Sequence, residues 1–173
     1  MELWHKRAVY NGQITRGLRA GQAEAGEALL ANHGGALLRT AYALCGDAAE
    51  AQAVTRETLL YIVKAAHRYY QLEQLSDWLL DYLLDALRRR ARQRTRPTPP
   101  AAGPAAGGQT PEQAALWAAL HQLPAQLRLV FVLRYHDDMH LSPMSHLLHI
   151  PESTIKARLA AALRALREKL PQL

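Results

Sequence analysis

From Pro97 to Gly108 the chain reads Pro-Thr-Pro-Pro-Ala-Ala-Gly-Pro-Ala-Ala-Gly-Gly, without one large apolar residue and without an apolar period. Such a stretch buries too little surface to offset the entropy of ordering it. It divides the 173 residues into two segments that must each make a core of their own. We read residues 1–96 as one small domain, 97–109 as a flexible linker rich in Pro, Ala and Gly, and 110–173 as a second small domain.

Abundant Ala, Leu, Arg and Gln, with few β-branched runs, favour helix on both sides of the linker, and we expect an all-α chain. Ile14 and Leu18 mark a first helix ending near Gly21, and Leu29, Leu30, His33, Leu37, Ala41 and Leu44 mark a second that runs to Gly46. Asp47, three residues before Glu50, caps a third carrying Val54, Thr58, Tyr61, Ile62 and Ala65. Ser76 and Asp77 are placed to cap a fourth, whose stripe is Trp78, Leu79, Tyr82, Leu83, Ala86 and Leu87. Beyond the linker, Thr110-Pro111, Leu123-Pro124, Ser142-Pro143 and Ile150-Pro151 each signal a helix start.

A formal charge of +6 suits a polyanionic partner, and its distribution matters more than its size. Arg88, Arg89, Arg90, Arg92, Arg94 and Arg96 crowd one stretch with no acidic residue inside it, more cations than a helix end needs. Arginine also suits bidentate phosphate contacts. The lone Cys45 excludes an intrachain disulfide and a zinc site built from cysteines. No apolar run has signal-peptide or membrane-spanning length, so we expect a cytoplasmic protein without membrane insertion.

Leu141 to Leu170 has helix-turn-helix spacing: a short helix, a turn at His149-Ile150, and a longer helix whose Lys156, Arg158 and Arg164 lie off the apolar stripe. In such a unit the second helix enters the major groove, and its early residues reach base edges. Glu152, Ser153, Thr154, Lys156, Arg158 and Arg164 are the candidates. The same pattern also fits a plain helical hairpin with a solvated basic face.

The run Leu123-Pro124-Ala125-Gln126-Leu127-Arg128-Leu129-Val130-Phe131-Val132-Leu133-Arg134-Tyr135, followed by Ile150 to Leu159, resembles region four of the extracytoplasmic-function sigma factors of the sigma-70 family. Arg19 to Gln22, Leu37 to Asp47, Glu57-Thr58-Leu59 and Trp78-Leu79 resemble region two of the same family, in the family's order. The resemblance implies a factor that binds core RNA polymerase and promoter DNA, opens the minus-ten element with region two and reads the minus-thirty-five element with region four. It implies polymerase contacts at Glu50, Gln52, Arg56 and Glu57, and region-two DNA contacts at Tyr69, Tyr70, Arg88, Arg89, Arg90 and Arg92. It also allows an anti-sigma protein as partner.

The chain departs from that pattern at definite places. Gln52, Ala53 and Arg56 stand where acidic residues and a Gln are usual, and Arg56 brings positive charge to a surface that meets basic clamp residues. Asp81 and Asp85 replace basic or amide residues, leaving base capture to His67, Tyr69 and Tyr70, which alternatively pack against Trp78. Ala157, Ala161 and Leu163 remove donors from the recognition helix. These substitutions frame a second reading, a degenerate sigma-like regulator or adaptor. We expect no enzyme activity, no cofactor and no metal: His136, Asp137, Asp138, His140, His146 and His149 read as solvated polar residues, and no nucleophile–base pair stands out.

Overall fold

The computed structural model describes residues 8–68, 75–93 and 111–170. The expected linker lies outside them, as do Tyr69, Tyr70, Arg94 and Arg96. All elements among the described residues are helical: α1 (Ala8–Arg19), α2 (Ala23–Leu29), α3 (Gly35–Cys45), α4 (Ala48–Ala65), α5 (Leu75–Gln93), α6 (Pro111–His121), α7 (Ala125–Phe131), α8 (Leu141–Leu148) and α9 (Glu152–Lys169). The fold is all-α, as expected. Among the described residues no helix is long and apolar enough to cross a membrane.

The chain forms two compact units, one drawn from Met1–Ala41 and Ala49–Pro97, the other from Tyr42–Ala48 and Thr98–Leu173. In the first, Ile14, Leu29, Leu37, Val54, Ile62, Leu79 and Leu83 are buried, one apolar stripe from each helix. Helices α1 and α2 meet closely at Gly17, where an added Cβ would lie 2.7 Å from that of Ala25. Gly21, at φ +71°, makes the turn between them. A buried polar chain ties the unit together: His33 Nε2 donates to Asn11 Oδ1 at 3.0 Å, and Asn11 Nδ2 donates to Ser76 Oγ at 3.1 Å. Ser76 thus accepts a tertiary hydrogen bond inside α5 and is not the cap that its position suggested, because the helix begins before it, at Leu75.

The helix expected from Leu29 to Gly46 is interrupted by a π-turn at Leu30–Gly34, and a second π-turn, Val132–His136, follows α7. In the second unit Val130, Val132, Leu133, Met144, Ile155 and Leu166 are buried. The core here forms where α6, α7 and α8 pack on the apolar stripe of α9.

Candidate nucleic-acid and partner surfaces

Ile155, Leu159, Ala162 and Leu166 bury one side of α9, which turns Lys156, Ala157 and Arg164 outward and leaves Arg158 half-buried. Pro151 serves as N-cap, its carbonyl accepting from the backbone of Thr154 and Ile155. Glu152, Ser153 and Thr154 occupy the first turn, with Ser153 exposed. Helix α8 ends at His149 in the left-handed region, φ 54° and ψ 40°, and Ser145 Oγ donates to the Ile150 carbonyl at 2.7 Å across the turn. That geometry is a helix-turn-helix with α9 in the recognition position.

Beside α9 an open recess of about 620 Å³ brings together Arg134, His140, Ser142, Glu152 and Lys156. Arg134 comes from the second π-turn; its Nη1 donates to the Met139 carbonyl at 3.3 Å and lies 3.7 Å from Asp138 Oδ1. Sequence reading named Lys156 and missed Arg134 and His140 as its neighbours. Arg158 and Arg164 do not line this recess.

In the first unit the residues expected to touch DNA and those expected to touch polymerase meet one another. Arg90 Nε donates to Glu57 Oε2 at 3.1 Å, and its Nη1 lies 3.6 Å from Glu50 Oε2. Arg89 Nη2 donates to Glu57 Oε1 at 3.2 Å and Nη1 donates to Asp85. The Arg89 guanidinium also lies 5.1 Å from the Tyr82 ring, which stacks on Tyr61 with centroids 3.8 Å apart. Burial disfavours the Arg89 charge, but the Glu57 hydrogen bond and the Asp85, Tyr82 and Glu57 charges outweigh it and raise its pKa. The arginine stretch, unneutralised along the sequence, is therefore neutralised across the α4–α5 packing at Arg89 and Arg90. Arg88 and Arg92 remain exposed.

Gln52 and Arg56 lie on a different side of α4 from Glu50 and Glu57. They line a groove of about 610 Å³ together with Leu29, Leu30, Leu38, Leu59, Leu60 and Val63 and the glycines Gly26, Gly34 and Gly35. Leu30, Leu60 and Val63 are 60 %, 53 % and 42 % exposed, an unusual cost for leucine and valine unless something covers them. Gly34 lets Leu30 lie across it, since a Cβ there would come 2.8 Å from Leu30 Cδ1. Among the described residues Arg56 is the one charged residue in the lining. The groove escaped sequence reading; apolar residues off the buried stripe were its signal.

The fold and these surfaces define a two-unit helical protein with a helix-turn-helix in its second unit. Residues 119–168 match the family model described as Sigma-70, region 4. Among curated proteins none matches by sequence. The chain superposes on the structure of CnrH in complex with the cytosolic domain of CnrY at a TM-score of 0.71 and 19 % identity, covering 93 % of this chain and 97 % of that one. It superposes on the sigma factor RpoE, in complex with the anti-sigma factor NepR from Bartonella quintana, at 0.69 and 22 % identity, covering 83 % and 94 %. The sequence resemblance is therefore met over residues 119–168 by the Sigma-70, region 4 model, and the chain as a whole shares the fold of CnrH and of the sigma factor RpoE.

Proposed function

We propose that this chain directs bacterial RNA polymerase to specific promoters in the cytoplasm and assists DNA opening there, by binding and positioning alone. The observation that carries this reading is the helix-turn-helix of the second unit, whose α9 turns Lys156 outward beside Arg134 within the segment that matches region 4. The apolar groove on α4 supports a protein contact in the first unit, and we assign it to core polymerase. Solved neighbours that hold a second protein, one of them an anti-sigma factor, support the same kind of partner here.

Gln52, Arg56, Glu50 and Glu57 divide in this assignment: Gln52 and Arg56 border the groove, whereas Glu50 and Glu57 act on α5. The test is co-purification of the tagged chain with core polymerase, then transcription by the reconstituted complex from a promoter library. A stable complex with selective transcription is expected. Leu60→Glu should abolish the complex, and Lys156→Ala or Arg158→Ala should reduce transcription sharply while leaving it intact. No complex at low salt would overturn the sigma role in favour of the degenerate regulator or adaptor, and unchanged transcription in both α9 variants would overturn the region-four contacts.

A further inference from the structure

The four described arginines of α5 are not one population. Arg88 and Arg92 stand exposed, whereas Arg89 and Arg90 are held by carboxylates from another helix. Glu57 is the common partner: one oxygen takes Arg89 Nη2 at 3.2 Å and the other takes Arg90 Nε at 3.1 Å. Glu50, two turns earlier on α4, adds a second carboxylate to Arg90, and Asp85 a second to Arg89. The Glu57, Arg89 and Arg90 side chains are 34 %, 39 % and 34 % exposed, so a phosphate can reach all three.

A carboxylate and a phosphate present the same kind of acceptor to a guanidinium fork. Nucleic acid that approaches the Arg89 Nη2 or Arg90 Nε edge competes with Glu57, whose charge stays beside the phosphate in either case. Half-exposed pairs of this kind are too weak to act as a lock but strong enough to compete. We propose that Glu57, assisted by Glu50, is an internal competitor that masks Arg89 and Arg90 from nucleic acid, so that of the four described arginines of α5 only Arg88 and Arg92 are presented until the carboxylate is displaced. The masking rests on the reading of the α5 arginines as a nucleic-acid surface. It would keep the first unit's intrinsic DNA affinity low.

The experiment measures binding of the intact chain to a short single-stranded oligonucleotide across a salt series, for wild type, Glu57→Gln, the Arg89→Gln/Arg90→Gln pair and the triple variant. Releasing a weak pair predicts that Glu57→Gln tightens binding about five- to tenfold at low salt. Two added phosphate contacts predict a salt slope steeper by roughly 1.4. In the Arg89→Gln/Arg90→Gln background the gain should vanish, because nothing is left to unmask. An equal gain in both backgrounds would mean simple loss of a negative charge and overturns the proposal, as does a Glu57→Gln variant that binds no better than wild type.

Asp85→Asn provides a check that does not touch the α4 side: it frees Arg89 from one of its two carboxylate partners and should give a smaller gain, with thermal melts confirming that each variant is folded. Arg88→Gln/Arg92→Gln separates the two readings. If it weakens binding while Glu57→Gln has no effect, the masking alone fails; if neither changes binding, the nucleic-acid role of this stretch fails with it.

Discussion

Ser145 donates its hydroxyl to the carbonyl of Ile150, and the residue between them that bears the strain of the turn is His149. A left-handed conformation disfavours any residue with a Cβ, and glycine is the ordinary occupant of such a helix end. His149→Gly should therefore raise the stability of the second unit by about 0.5–1 kcal/mol. Ser145→Ala should lower it by about 1 kcal/mol. Urea melts read both, and opposite signs are the expected outcome.

Two glycines of α1 should respond in opposite directions to the same substitution. Gly17→Ala drives a methyl into Ala25 across a buried helix contact and should cost about 1–3 kcal/mol. Gly12→Ala meets nothing within 4 Å and should stabilise by about 0.5–1 kcal/mol through helix propensity. Chemical denaturation of the two variants side by side checks the α1–α2 packing.

Arg134 and Lys156 flank one recess, so their removal should look alike in a duplex-binding titration. Each alanine variant should weaken binding to promoter duplex and reduce the salt slope by about 0.9, the value of one phosphate contact. A change in sequence preference without a change in slope would place either residue on a base edge instead.

His121 gives the second unit a pH dependence. Its ring donates to the Tyr42 carbonyl at 3.3 Å, within that unit, and burial, the largest influence, lowers its pKa below 6.5 despite that hydrogen bond. The unfolded chain then binds the proton more readily than the folded one, so stability from this group is complete above about pH 6.5 and is lost as pH falls through the lower folded value. Thermal melts between neutral and mildly acidic pH should show the second unit weakening on acidification, and His121→Gln should flatten that dependence.

Much of the helical architecture was legible because stripes such as Val54, Thr58, Ile62 and Ala65 repeat at helical spacing and because Gly21, Gly46 and the X-Pro steps punctuate them. Lys156 was legible for the same reason, as a cation off the α9 stripe. What stayed hidden depends on pairs far apart in the chain. Glu57 lies 32 and 33 residues from Arg89 and Arg90, so a count of charge along the sequence sees six bare arginines and misses the carboxylates that packing places against these two. The groove joins residues of α2, α3 and α4 around a π-turn, and no window on one helix contains it.

Both π-turns sit beside a candidate surface: Leu30 and Gly34 line the groove, and Arg134 lines the recess. A π-turn holds one residue more than an α-helical turn, and each residue in a helix advances the facing direction by about 100°. Deleting one residue within Leu30–Gly34 would restore an unbroken α-helix and leave the faces on either side in phase, with buried Leu37 still turned to its core, because the wider turn already absorbs the extra residue. A relative with a plain helix there would pair with this chain one position out of step, so residues compared by position across the break would not be residues that share a place in space.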